Sequence, residues 1–455
     1  MSESALELAQ RALAAAEGDQ AEVVVQSERS GFARFADSEV HQPTLIENAV
    51  VQLRLVRDGR IGSALTNRVE GDAFRDLARR AAEAADLAPP DPDFPGLAQP
   101  EPYPEVRAYD EETASFGAEE QAQLAGRAIE AAAPFAAYGF FTSAVSELAV
   151  ASSTGVAVEQ AMTDATTLVI AAGEDASGYA ERTTWRAGDV EPETIGREAS
   201  EKATRTRGAA SLEPGRYAAV LEPYALGELL QWFAWDSFSG LGLLEERSAL
   251  YGRIGERIAD PKVTITDDPV NPAGLPKAFD FEGVPKRVVP LIEDGVARGV
   301  VWDRMTAARA SNGVASTGHA PPPPSRVWGP MPLALSVAAG DADSVDELIE
   351  LVGDGIYVTR VHYLGIVNPR EGVLTGMTRD GTFRIRDGRV AEPLLNLRFT
   401  VAIPDLLAEV PGLTRTRQLV NQSQFYDERY PQGVLCPAIA TASFNVTGSG
   451  SAPGL

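Results

Sequence analysis

The sequence predicts an α+β protein of two domains, with helices segregated from antiparallel sheet. Three observations carry this expectation. Long stretches alternate apolar and polar residues with a period of two. Amphipathic helical stretches are few and lie apart from them. Asp-Gly pairs stand between alternating runs at Asp58-Gly59, Asp294-Gly295 and Asp387-Gly388, the strongest short-range signal for a hairpin. A chain of 455 residues exceeds a single small core and corresponds to about two to three domains by length. The turn-rich stretch RGAASLEPG, ending at Gly215, marks the boundary. It divides an N-terminal α+β domain, residues 1–210, from a β-rich C-terminal domain, residues 211–455.

Taken in order, Ser4 and Glu7 have capping-box spacing, and Leu6, Ala9, Leu13 and Ala16 follow at helical intervals. A first helix therefore runs to about Glu17, with Gly18 as its stop. Alternation then takes over through Val23, Val25, Phe32, Val51, Leu53 and Leu55, and Asp58-Gly59 turns the chain onto Ile61. Phe74, Leu77, Ala78, Ala81 and Ala85 form the apolar stripe of a second helix. The proline-rich stretch Pro89 to Pro104 is too poor in donors for helix or sheet and reads as an extended surface crossing. A third helix over 118–132 precedes an antiparallel meander over 136–186, then a short helix over 195–204 and a strand over 217–221. Beyond Asp236 the chain turns β-rich, with a strand over 261–266, the two later Asp-Gly hairpins, and one helix opened by the Ser344/Glu347 box and closed at Gly353.

Composition excludes several classes of function. Sixty-five acidic against 40 basic residues give a net charge of −25, which repels the phosphates of nucleic acid and anionic membrane surfaces. No run approaches the roughly 20 apolar residues of a membrane span, and the acidic N-terminal stretch lacks the apolar core of a secretory signal. The one cysteine, Cys436, excludes an intrachain disulfide and suits a reducing compartment. The expectation is a cytoplasmic protein.

The stretch that bears on chemistry is LEPYALGELLQWFAWDSFSG, residues 221–240. Leu226, Leu229, Leu230, Phe233 and Ala234 line one buried stripe of a helix beginning after Pro223, and Glu228, Gln231, Trp235 and Asp236 fall off it. A zinc hydrolase uses such a helix to present two histidines for the metal and a glutamate for its water. No histidine occurs here.

That absence is informative because several ordered segments resemble the TldD/PmbA family, whose PmbA branch is also called TldE. They are ARFADSEVHQ with VVQLRLVRDGRIGSA, the run from Thr264 to Asp303 with its double Asp and Asp-Gly hairpin, GELLQWFAWD, and STGHA at Ser316 to Ala320. In the TldD member the helix carries His-Glu-x-x-x-His, and the resemblance sets Gln231, Trp232 and Asp236 at those three positions. A neutral amide is a poor zinc ligand and an indole cannot act as a base. The resemblance, closest to the PmbA branch, implies a subunit without catalytic or metal-binding residues of its own. It implies a pairing with a TldD-type metalloprotease subunit, or with itself, around a cavity where short or unfolded peptides are cut, the zinc being held by the TldD-type partner.

Interface or cavity candidates are Trp232, Trp235, Asp236 and His319. Trp232, Phe233 and Trp235 crowd three aromatic rings into four positions, so one of the tryptophans belongs to a partner interface or to a second internal layer. His319 lies in a loop before a tetraproline and is the histidine best placed for function, whereas His41 and His362 read as sheet residues. Cys436 falls several residues after the position of a C-terminal cysteine ligand in the metalloprotease member and reads as a buried apolar side chain. Asp267, Asp268, Asp280 and Glu282 could supply paired carboxylates for acid–base work, but Asp-rich loops more often reflect turn chemistry. The tetraproline Pro321 to Pro324 is a stiff polyproline segment that reads as a plain spacer, with a position over a groove as the alternative. Two further functions stand beside the subunit reading. One is a homodimeric peptide-binding scaffold, and the other a hydrolase with a non-standard metal site drawn from Asp236, His319, His362 or Cys436.

Overall fold

The structure, a computed structural model, describes residues 3–310, 313–423, 425 and 429–450. Helix α1 (Ala5–Ala14) opens with the expected box, Ser4 accepting from the Glu7 amide and Glu7 returning to Ser4. It ends three residues before Glu17. Strands β1 (Gln20–Ala36), β2 (Glu39–Arg57) and β3 (Arg60–Thr66) form a meander. Its first turn, Asp37-Ser38, has both residues at positive φ. Nothing in that dipeptide carries the Asn-Gly or Asp-Gly signature, so the turn was not foreseen. Asp58-Gly59 makes the second turn at φ 49° and 70°, the backbone that a two-residue hairpin demands.

Helices α2 (Ala73–Leu87), α3 (Glu111–Ser115) and α4 (Ala118–Ala131) lead into β4 (Ala136–Ser152), β5 (Ala157–Ala172) and β6 (Ser177–Thr184). The six strands form one antiparallel sheet in the order β3-β2-β1-β4-β5-β6. Helix α5 (Pro192–Arg205) packs on its far end and runs three residues longer at its start than the expected helix, because Pro192 takes the first helical position. The proline-rich crossing is extended as expected, but it is not confined to the surface. Leu97 and Ala98 are buried, and Tyr103 donates to the Gly283 carbonyl at 3.0 Å, so this segment ties the first sheet to the second half of the chain.

The second sheet begins with β7 (Gly215–Leu221), which runs directly into α6 (Pro223–Ser237) and then α7 (Gly240–Leu244). There follow β8 (Ile265–Asp267), β9 (Val289–Glu293), β10 (Val296–Ala297), α8 (Arg304–Arg309), β11 (Leu335–Val337) and α9 (Val345–Val352). Strands β12 (Gly355–Asn368), β13 (Val373–Arg386), β14 (Arg389–Pro393) and β15 (Leu397–Ala402), helix α10 (Ile403–Leu407), and β16 (Gly412–Asn421) and β17 (Gly433–Ser449) complete it. Both later Asp-Gly pairs form the expected turns, between β9 and β10 and between β13 and β14. The expected strand over 261–266 shrinks to Ile265–Asp267. Pro261 and Lys262 make a turn instead, with the Asp260 side chain accepting from the Lys262 amide, and residues 263–264 are irregular. Strand β7 pairs with both β12 and β17, so the circuit β7-β12-β13-β15-β17 closes on itself, and α6 packs against it within the largest hydrophobic core.

No helix of the described residues is long and apolar enough to cross a membrane.

Candidate functional site

Helix α6 starts where Pro223 fixes the first helical φ. Its N-cap residue Glu222 does not cap with its side chain. That carboxylate is drawn inward instead, to Lys202 Nζ at 2.7 Å and to the Tyr357 hydroxyl. The expected stripe is in place: Leu226, Leu229, Leu230, Phe233 and Ala234 are all buried. Off the stripe the outcome is mixed. Trp235 is 42% exposed, Glu228, Trp232 and Asp236 are half-buried, and Gln231 is 2% exposed.

Gln231 is therefore inside, contrary to its placement off the buried stripe, because β16 and β17 cover a second face of the helix. A Cβ at Gly227 would meet Val420 of β16 at 2.9 Å, so the strand lies directly on the helix. Both amide atoms of Gln231 lack a hydrogen-bond partner among the described residues, which costs free energy in a buried site. Cys436 of β17 also lies against this helix, its thiol donating to the Pro223 carbonyl at 3.4 Å. It is fully buried, and burial pushes the thiol well above its ordinary range. A thiol held protonated in this way is a packing group rather than a ligand.

The exposed side of α6 is built from aromatic rings. Trp232 and Trp235 lie 4.9 Å apart, and the Trp232 indole donates to Glu228 Oε1 at 3.2 Å. Asp236 is ion-paired with Arg247. Trp235, Asp236 and Arg247 border a cleft of about 640 Å³, within the range of sites that hold small molecules or side chains. Trp235 and Asp236 form one wall, Pro322, Val327 and Trp328 another, and Met331 and Tyr430 also line it. Val327 and Trp328 are 76% and 67% exposed, and they sit on the helical turn Pro323–Trp328 that begins within the proline run. The tetraproline is thus part of a cleft wall and not a plain spacer. The sequence signal that could have found this wall is Trp328, four residues after the last proline of the run.

His319 lies elsewhere, buried in the chain at 1% exposure. Its Nε2 is 2.7 Å from Asp267 Oδ1 and its Nδ1 2.9 Å from the Thr317 carbonyl. Burial and the nearby Lys286 ammonium lower its pKa. His362 is partly buried in β12 and stacked on Tyr363, and His41 is on β2. Asp236, His319, His362 and Cys436 thus occupy four separate environments. Among the described residues no three His, Cys, Asp or Glu side chains gather so that they could hold a metal ion.

The Asp-rich cluster is structural. Asp280 Oδ1 accepts from the Glu282 and Val284 amides at 2.9 Å and its Oδ2 from the Ala320 amide at 2.8 Å, and Asp268 holds Asn271. Glu282 reaches across to Arg54 of β2. At the three positions on α6 a metal would meet an unpaired amide, an indole and a carboxylate already neutralised by arginine. This donor set does not fit zinc, which takes imidazole, thiolate and free carboxylate.

Comparison with known proteins places this geometry. Residues 214–448 match the profile described as the PmbA/TldA metallopeptidase C-terminal domain, residues 21–85 that of domain 1, and residues 111–207 that of the central domain. The regions 21–85 and 111–207 meet in the single six-stranded sheet. A metalloprotease of Methanothermobacter thermautotrophicus is 30% identical over 225 residues, 49% of this chain and 48% of that protein. A TldD homolog of Haemophilus influenzae is 30% identical over 212 residues, 46% and 42% of the two chains. The matched region spans about half the length of these relatives. The crystal structure of TldE from Thermococcus kodakarensis superposes with a TM-score of 0.85 at 22% identity, covering 98% of this chain and 100% of that one, which shows a shared fold from end to end. By its matched domains and its fold, the chain belongs to the PmbA/TldD metallopeptidase family.

Proposed function

We propose that the chain is the non-catalytic, TldE-like half of a two-subunit cytoplasmic metallopeptidase that degrades or processes short or unfolded peptides. A TldD-type partner supplies the zinc. This chain supplies part of the wall of the shared cavity, through the outward face of α6 and the cleft beside it. The observation that carries the reading is the donor set of α6: Gln231, Trp232 and Asp236, the last tied to Arg247, stand where the resemblance to TldD would put two histidines and a glutamate. Exposed Trp235 and Trp328 support a partner at this face, since tryptophan is enriched among the anchors of protein interfaces.

Zinc content and peptide hydrolysis measured for the chain alone, for a TldD-type partner alone and for the mixture test the proposal. Turnover should require the mixture, with the zinc on the partner. Stoichiometric zinc together with turnover by the isolated chain would overturn it.

A homodimeric peptide-binding scaffold is the second reading, favoured by the size of the cleft within one chain, about 640 Å³. The net charge of −25 counts against it, because two copies repel one another before they touch. A single self-associated species at low salt, with no TldD-type protein co-purifying from the native host, would favour it.

A further inference from the structure

A second cleft, of about 350 Å³, shares none of its lining residues with the first. It lies where α5, the β7–α6 junction, the start of α9 and β16 meet, and nothing in the subunit reading uses it. Strand β16 loses register there: Leu413 faces Ile439 but Arg417 faces Pro437. Such bulges re-aim side chains beside binding sites. Here the irregular segment brings Thr414, Thr416 and Arg417 to the cleft, and the neighbouring strand contributes only the methyl group of Ala438.

The charges in the wall fall into two groups with separate partners. In one, Lys202 Nζ holds Glu198 Oε1 at 2.8 Å, Glu222 Oε2 at 2.7 Å and the Tyr179 carbonyl at 3.2 Å. Two carboxylates on one ammonium leave this group negative, and Glu198, at 32% side-chain exposure, is the carboxylate that a ligand can reach. In the other, Arg417 Nη1 donates to Ser336 Oγ at 3.1 Å and to the Val337 carbonyl at 3.2 Å. Arg417 forms none of the ion pairs found among the described residues, and the neighbouring Asp343 is already held by Arg415 at 2.9 Å. A guanidinium fork without a carboxylate is a ready partner for one. A phosphate ester would set two negative charges against Glu198, Glu222 and Asp343, so complementarity favours a ligand with one charge of each sign.

We propose that this cleft binds a zwitterionic α-amino acid or dipeptide, its carboxylate on Arg417 and its ammonium toward Glu198. The cavity volume suits a molecule of that size. A product of peptide hydrolysis has this chemistry, yet the site is complete within one chain and needs neither partner nor zinc, so its failure would leave the subunit reading untouched.

Calorimetric titration of the full chain with leucine, glutamate, lysine and glycyl-leucine tests it, with N-acetyl-leucine, leucinamide and inorganic phosphate as controls. At least one zwitterion should bind saturably. N-acetyl-leucine and leucinamide should bind at least tenfold more weakly, and phosphate not at all. Arg417→Gln should weaken the zwitterion at least tenfold. Thr416→Trp, a change at an exposed lining residue that leaves the core alone, should block it even if Arg417→Gln fails to fold. No saturable binding by any of the four zwitterions, equal binding of phosphate or of the blocked analogues, or wild-type affinity in Thr416→Trp would each overturn the proposal.

Discussion

The Asp236 carboxylate near the end of α6 is held by the Arg247 guanidinium, which also reaches Glu245 at 2.8 Å. One ion pair thus occupies the position that the resemblance to TldD gives to a histidine ligand, and it does so at the rim of an aromatic cleft. Asp236→Asn removes the charge and keeps the shape. Because both partners are partly exposed, we expect a stability loss below about 1 kcal/mol. Zinc content, by elemental analysis, should be the same in the variant and the parent.

Trp235 and Trp328 flank that cleft and are 42% and 67% exposed. Trp328→Ala should shift the thermal midpoint little, since a mostly exposed ring has few contacts to lose, and Trp235→Ala should shift it more, because that ring packs on Trp232 at 4.9 Å. If this face meets a TldD-type subunit, each change should weaken the pairing by about 2 kcal/mol, roughly 30-fold. Surface plasmon resonance against the partner reads this directly, and unchanged affinity in both variants would move the interface elsewhere.

Arg54 of β2 lies between two carboxylates, 2.9 Å from Glu22 Oε2 and 3.1 Å from Glu282 Oε1, all three buried. Arg54→Met leaves two acids facing each other out of water, and denaturant unfolding should show a loss of about 3–5 kcal/mol. Burial raises the Glu282 pKa, but Arg54, Arg326 and Arg304 outweigh it and hold the carboxyl below its ordinary value. The stability from this pairing is therefore present above the unfolded carboxylate pKa, about 4.3, and is lost as pH falls through the lower folded value. Arg54→Met should blunt that acid-side loss.

Glu181 of β6 behaves in the opposite sense. It is buried, accepting from the Tyr179 hydroxyl at 2.7 Å and the Asn421 amide at 2.9 Å, and burial pushes its pKa up to about 7 despite those bonds. The folded chain keeps this proton up to about pH 7, whereas the unfolded chain releases it near about 4.3. Stability contributed here falls as pH rises between those values and is level above them. Glu181→Gln, which cannot ionise, should gain on the parent by on the order of 2 kcal/mol between pH 5 and pH 8, measured as the difference in urea midpoints.

His319→Ala leaves the Asp267 carboxylate buried, with the Ala334 amide as its remaining hydrogen-bond donor at 2.9 Å. A loss of about 3 kcal/mol is expected, with no effect on partner affinity, because the ring lies inside the chain. A change in affinity without a change in stability would return His319 to the interface.

Local signals were legible wherever short-range chemistry decides the outcome. The Ser4/Glu7 box, the three Asp-Gly turns and the apolar stripe of α6 all form as their residues dictate, and Ser344 caps its helix although Glu347 returns to the Asp343 amide rather than closing the box on Ser344. Each depends on backbone and side-chain groups a few positions apart, which a sequence specifies directly. The residues of the candidate site were legible only in type. That Gln231 and Trp232 are the wrong donors for zinc could be read without coordinates, because ligand chemistry belongs to the residue, whereas the pairing of Asp236 with Arg247 is a feature of the fold.

Which side of α6 faces solvent was decided by tertiary structure. Gln231 is buried and Trp235 exposed because β16 and β17 lie on one side of the helix while the other borders the cleft with Trp328 and Pro322. Helical periodicity reveals that a face is apolar but cannot reveal a second covering layer from residues about 190 positions away. The same holds for Arg54, whose partner Glu282 lies 228 residues along the chain, and for Arg417 and Glu198, set around one cleft by strands and helices from both halves. Long-range pairing follows from how the sheets close, and only the folded chain fixes that.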